Sequence, residues 1–245
     1  MLWQNPVGFS HLLLSSIGTH INLIYPERIP VGNEILLVSN HRSFLDAPLL
    51  MVALDQPIRF ACHHYMSQVP ILRETVEAFG CFPLEAANQR HQVFFQQASR
   101  FLQTSQRVGI FPEGSQPMVQ STPPEKVGAF HRGFAHLALR SPIPKLAVLP
   151  VAIASQAESI FPGVPLPLLR FFDPSEPLFE TLGWHPLILY HRVQVLIGRP
   201  YWITVDEQEK YRGKQGKAVV NDLTHYCQAE IAHLLQEAGC QNARD

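Results

Sequence analysis

Three short runs, EILLVS (34–39), RVGIF (107–111) and AVLPVAI (147–153), are apolar at nearly every position rather than at alternate ones. A strand with one wet face alternates apolar and polar side chains, so these runs predict strands covered on both faces, as in parallel sheets. Helical patterns separate them. Residues 88–106 are polar yet place Val93, Phe94, Ala98, Phe101 and Leu102 at helical spacing, and helices are also expected from about Asp46, over 67–79, from His131 to Leu139 and over 219–237. Ile58–Cys62, a short apolar segment at Cys81–Leu84 and VQVLI (193–197) complete the strands. This alternation predicts an α/β fold with a mostly parallel central sheet flanked by helices.

Two segments do not follow the alternation. Residues 1–30 read as an apolar helical leader, marked off by Pro26 and Pro30. Gln4, Asn5, Pro6, His11, Ser15, Ser16, Gly18 and Asn22 interrupt it, so it lacks the roughly 18 consecutive apolar residues of a membrane-spanning helix. It suits either a lipid interface or a place against its own domain. The remainder, 31–245, reads as a single domain. Within it, residues 155–190 scatter Pro162, Pro165, Pro167, Pro174, Pro177 and Pro186 among Phe, Leu and Trp. This excursion is expected to be a long apolar loop, either touching a membrane or an acyl chain, or folded into the core.

Composition narrows the partners. A net charge of −1 and a pI near 6.9 supply no field to attract nucleic acid. Charged residues are only 16% of the chain and hydrophobic ones 46%, which implies that part of the exterior meets something apolar. Cys62, Cys81, Cys227 and Cys240 form no CxxC pair, so reduced thiols in a cytosolic setting are expected.

Where the first apolar run ends, VSNHRSFLDAP (38–48) brings Asn40, His41, Arg42, Ser43 and Asp46 together. On one regular helix, His41 and Asp46 would point about 140° apart. If His41 instead lies in the loop leaving the strand and Asp46 in the first turn of the next helix, the carboxylate can reach back to the imidazole. That junction is where open α/β sheets place ligands. A carboxylate that fixes a histidine tautomer lets the other ring nitrogen take a hydroxyl proton, with His41 as base and Asp46 as orienter. Taken alone, the same residues also fit a helix cap beside an ordinary loop histidine.

The second run ends in Phe111-Pro112-Glu113-Gly114-Ser115. Gly109 to Ser115 approaches a phosphate-binding loop, but the lysine is missing and Pro112 removes a backbone donor, so nucleotide binding is excluded. Glu113 and Ser115 could hydrogen-bond a hydroxyl acceptor, or form a plain turn. His63-His64 and the His131/His136 pair lack metal-ligand spacing, and no metal is expected. Cys62 and Cys81 lie in apolar runs and read as core.

Taken jointly, these blocks resemble the phospholipid/glycerol acyltransferase family, the glycerol-3-phosphate and 1-acyl-glycerol-3-phosphate acyltransferases. Asn40, His41, Ser43 and Asp46 match its NHxSxxD block. Phe111, Pro112, Glu113 and Gly114 match FPEGTRS with Ser115 in the threonine position, Val148 to Val151 match the later VLPV strand, and Arg132-Gly133-Phe134 the stretch before it. VQVLIGRP (193–200) is similar to the closing strand, so the resemblance spans roughly 34–200.

The resemblance implies a glycerol-phosphate acyltransferase-like fold and the transfer of an acyl group from acyl-CoA or acyl-carrier protein to a hydroxyl of a glycerolipid precursor, in phospholipid biosynthesis. His41 and Asp46 would be catalytic. Asn40, Ser43, Glu113, Gly114 and Ser115 would bind substrate, with no cofactor beyond the acyl donor. The protein would sit peripherally on the cytoplasmic side of a membrane, with the bilayer and the acyl donor, acyl carrier protein among the candidates, as partners. Two departures stand out: Ala86 follows Glu85, and Gln116 follows Ser115, where the family carries arginines. Arg90 and Arg132 could substitute in gripping a phosphate, although their spacing does not establish it. The alternatives are therefore an acceptor without phosphate, a thioesterase-like hydrolase, or a catalytically silent lipid-binding homologue.

Overall fold

A computed structural model describes residues 5–32, 34–62, 74–76, 78–83, 90–114, 116–119, 122–172, 177–180 and 182–242. The strands are β1 (His20–Ile24), β2 (Ile35–Ser39), β3 (Ile58–Cys62), β4 (Phe82–Pro83), β5 (Arg107–Ile110), β6 (Ala147–Pro165), β7 (Trp184–Ile197) and β8 (Tyr201–Trp202). They form one sheet in the order β1-β7-β6-β2-β5-β3-β4, with β8 beside β6. The stretch from β6 through β2, β5 and β3 to β4 is parallel throughout. The fold is thus α/β with a mostly parallel sheet, as the consecutive apolar runs require.

Those runs supply both layers of the core. Along β2, Leu36 and Val38 face one apolar cluster while Ile35 and Leu37 face the other. The first cluster is closed by α5 (Gly133–Arg140) and α8 (Gly216–Asn242), and the second by α1 (Pro6–Ile17) and α2 (Asp46–Leu54). α3 (Arg90–Gln103) packs Ala98 and Leu102 into the first cluster. The helix expected over 67–79 is described only at 74–76 and 78–79; of these, 74–76 and 78 are helical and Phe79 is in a turn. Among the described residues of 113–127 there is a short helix, α4 (Gln116–Val119).

Two expectations change. Among the described residues of the leader, α1 is helical, a 3-10 turn follows at Pro26–Arg28, and a strand lies between them. Gly18, at φ 75°, closes α1 by donating its N–H to Leu14 and Ser15, and β1 then joins the sheet parallel to β7. The sequence HINLI alternates, which is the signature of a half-exposed strand, and Ile21 and Leu23 pack inward. α1 buries Leu14, with Phe9, Leu13 and Ile17 packed against the same cluster.

The excursion 155–190 is also not a simple loop. β6 runs on to Pro165 and pairs antiparallel with β7 from Trp184, making a two-stranded arm that carries α6 (Leu166–Phe172) and a 3-10 turn at Pro177–Glu180 near its tip. The pairing shifts register between Ser155 and Glu158 and again between Pro162 and Val164, the second shift lying beside the cross-strand pair Pro162 and Pro186. Past the sheet, α7 (Val205–Arg212) opens on a Thr204/Glu207 capping box that the sequence reading did not single out.

Candidate active site

The carboxyl end of β2 delivers Asn40 and His41 into a short loop, and α2 begins at Asp46. Asn40 is buried and makes a two-way bond with the Ile153 backbone, at 2.9 Å from Nδ2 to the carbonyl and 2.8 Å from N–H to Oδ1. This ties the strand end to β6. His41 Nδ1 lies 2.8 Å from Asp46 Oδ2, which also accepts the backbone N–H groups of Arg42 (2.7 Å) and Ser43 (2.9 Å). Asp46 therefore faces back into the loop that precedes it, as the strand-to-helix junction requires. Its side chain is fully buried, whereas His41 keeps 18% exposure.

The imidazole is held in its plane as well as at its edge. It stacks on Phe111 at 4.1 Å and 10°, and Phe111 stacks on Phe60 at 5.0 Å and 11°. Gly109 makes room beneath: a Cβ there would sit 2.1 Å from the Phe60 ring. Among the described residues His41 Nε2 has no hydrogen-bond partner, so this nitrogen is the one left for chemistry.

Three residues expected to bind substrate do other work. Glu113 is only 4% exposed, and its two oxygens accept the backbone N–H groups of His41 (3.0 Å) and Gly128. It straps the His41 loop to the neighbouring loops. Burial raises its pKa, opposed by those two N–H bonds and by His41. Ser43 is buried, donates to the Ile188 carbonyl at 2.7 Å and accepts from the Leu45 N–H. Asn40 is likewise spent on Ile153. Buried and internally bonded, Asn40, Ser43 and Glu113 form the frame of the site, and their polarity alone could not distinguish frame from contact.

Gly114 adopts φ 70°, with the His131 ring beside it. The His131 N–H donates to Pro112 at 2.8 Å, which brings the following residue, exposed Arg132, to the edge of the same turn. Arg90 begins α3, and its side chain lies outside the described residues, as does Ser115. His63, His64 and Ala86 lie outside them too. Burial pushes the Cys81 thiol up to about 12 and the Cys62 thiol higher, so neither suits a nucleophile. Among the described residues there is no group of side chains able to hold a metal ion.

The sequence reading missed the contribution of the arm. Tyr190 of β7 donates its hydroxyl to Asp46 Oδ1 at 2.8 Å. Arg42 forms a fork with Glu158 of β6, at 2.8 and 2.9 Å, and its Nε donates to the Thr122 carbonyl. Burial works against both charges of that pair, but their mutual bonds outweigh it, raising the Arg42 pKa and lowering that of Glu158. Tyr190 and Glu158 lie more than 100 residues from the loop, and no local motif marks them.

A histidine backed by a buried carboxylate at the carboxyl edge of a mostly parallel sheet defines a class of α/β protein equipped for proton transfer. The comparison with known families is more specific. The family described as Acyltransferase matches residues 20–154, more than half of the chain, and the chain belongs to that family and is an acyltransferase. Its structure is similar to the crystal structure of the 1-acyl-sn-glycerophosphate acyltransferase PlsC from Thermotoga maritima, with a TM-score of 0.61 and 16% identity over 97% of this chain and 79% of that one. No curated protein matches it in sequence.

Proposed function

We propose that the protein esterifies a hydroxyl of a glycerolipid precursor with an acyl group taken from acyl-CoA or acyl-carrier protein. The observation that carries this reading is the His41–Asp46 pair at 2.8 Å with Nε2 unbonded among the described residues. His41 Nε2 takes the proton of the acceptor hydroxyl, and that oxygen attacks the thioester carbonyl. The new C–O bond forms as the C–S bond breaks, and the imidazolium returns its proton to the departing thiolate. Asp46 keeps Nδ1 protonated throughout. The similarity to a lysophosphatidate acyltransferase supports a glycerolipid acceptor.

A second reading of the acceptor rests on Gln116, which stands where the family pattern has an arginine. Without that guanidinium fork, an uncharged lipid alcohol competes with a phosphate-bearing one, and exposed Arg132, which follows the His131 that bonds Pro112 of the turn, is a cation left to meet a phosphate. The test supplies acyl-CoA and acyl-carrier protein with lysophosphatidate, glycerol-3-phosphate, lysophospholipids and neutral lipid alcohols. New ester that disappears in His41→Ala supports transfer. Release of fatty acid alone supports hydrolysis, and binding without product refutes both.

We also propose that the reaction takes place at a membrane surface, on its cytoplasmic side. The support is a line of exposed apolar side chains on the arm, including Phe161, Leu168, Phe171 (79% exposed), Leu182 (94%) and Trp184. Among the described residues no helix is long and apolar enough to cross a membrane, so the attachment proposed is peripheral.

A further inference from the structure

We propose that Tyr190 is a positioning residue of the acyl transfer, acting on His41 through Asp46, and that the arm's place in the fold is what supplies it. The proposal rests on His41 as the base. Asp46 has two carboxylate oxygens in fully buried surroundings. Oδ2 accepts three donors: His41 Nδ1, the Arg42 N–H and the Ser43 N–H. Among the described residues Oδ1 has one donor, the Tyr190 hydroxyl at 2.8 Å. Without that hydroxyl, a charged oxygen would lie bare where water does not reach, and the carboxylate would gain freedom to turn about its last bond.

The phenol is suited to donate. Tyr190 is itself buried, and burial together with the Asp46 charge holds its pKa far above the ordinary range, so it stays neutral. A donor on Oδ1 disperses the charge of the carboxylate and fixes its orientation. Both effects reach His41: the ring keeps its direction, and the pull on its imidazolium is moderated. The other charged and titratable groups around the pair are Arg42 on the same loop, Glu113 after β5, Glu158 on β6 and His185 at the start of β7.

The arm secures this contact at neighbouring points. Ser43 bonds the Ile188 carbonyl, two residues before Tyr190, and Arg42 forks onto Glu158, the register partner of Tyr190. The loop that holds the base is therefore latched to one cross-strand position of the arm. A hydroxyl so placed does more than fill the core, because a phenylalanine ring would fill the same space nearly as well.

The test compares Tyr190→Phe, wild type and a protein carrying a ring-fluorinated tyrosine in place of Tyr190, which is a stronger donor. Tyr190→Phe is expected to lower kcat about tenfold with KM little changed. In an NMR titration of the full chain, which needs no substrate, the His41 pKa should fall in the order phenylalanine, tyrosine, fluorinated tyrosine. A Tyr190→Phe variant with lowered Tm but unchanged kcat and an unchanged His41 titration would assign Tyr190 a purely structural role and overturn the proposal. So would the reverse order of pKa values. If wild type shows no transfer with any donor or acceptor, the functional reading fails, and the titration alone still decides whether Tyr190 governs His41.

Discussion

The parallel part of the sheet and the antiparallel arm build the same site by different means. β2 and β5 end in the loops that carry His41, Asp46 and Glu113, and the family match, residues 20–154, stops where the arm begins to leave the sheet. The arm contributes Tyr190, the Ile188 carbonyl and Glu158, each of which bonds the same short loop. On the proposed reading the first region provides the reacting groups, and the second adds restraints on them. A site described only from the matched region would keep the backbone donors on Asp46 Oδ2 but would lack the hydroxyl that bonds Oδ1.

The difference can be tested most sharply in the parallel region. Asp46→Asn puts an amide where Oδ2 accepts two backbone N–H groups and the His41 ring, so it disturbs both the tautomer and the loop. Its kcat is expected to fall about 10³-fold or more, measured as ester formed under saturating substrate. A loss under about tenfold would mean that Asp46 does not orient the base.

Breaking the latch should have a smaller effect on rate and a large one on stability. Arg42→Ala leaves Glu158 without its partner beside a buried loop, at a cost of about 3 kcal/mol in urea denaturation. The pair also sets a pH dependence. The folded Glu158 pKa lies below its ordinary 4.5, so its stabilisation is fully present above that ordinary value and is lost as pH falls through the lowered one. The stability gap between wild type and Glu158→Gln should therefore close on acidification below about 4.5. A gap that stays constant to lower pH would separate the fork from folding.

The smallest change in turnover belongs to the arm's outer surface. Phe171→Ser combined with Leu182→Ser should weaken flotation with anionic phospholipid vesicles, yet leave kcat on a detergent-dispersed acceptor within about twofold, since both side chains are largely exposed on the arm. Unchanged flotation would count against the arm as the membrane contact.

Legibility in the sequence follows the same division. The doubly apolar runs marked β2, β5 and the start of β6 almost to the residue, because burial on both faces leaves no other reading. The His41–Asp46 spacing was legible as a strand-to-helix junction, and the structure makes that contact. By contrast, β1 was hidden inside an apolar leader, and the arm inside a proline-rich stretch. Edge strands and bulged ribbons tolerate proline and glycine, which local patterning counts against strand. Tyr190 could not be found from spacing at all, since a long-range pairing register brings it to Asp46. The framing roles of Asn40, Ser43 and Glu113 were obscured for a related reason: a polar residue at a strand end looks the same whether its partner is a ligand or a backbone group from another strand.

The stack of Phe60, Phe111 and His41 has a consequence for how an alcohol can arrive. The lone pair of an imidazole nitrogen lies in the plane of the ring, and that plane is here nearly parallel to Phe111. One face of the ring is shut, so an incoming hydroxyl must come edge-on, along a single azimuth fixed by the sheet. Gly109 sets that azimuth from two layers below, since any side chain there would displace Phe60 and tilt the rings above it. If His41 is the base proposed above, a residue with no side chain would thus help to aim the proton transfer, and a preference among the hydroxyls of an acceptor would depend on this angle as well as on the groups that touch the substrate.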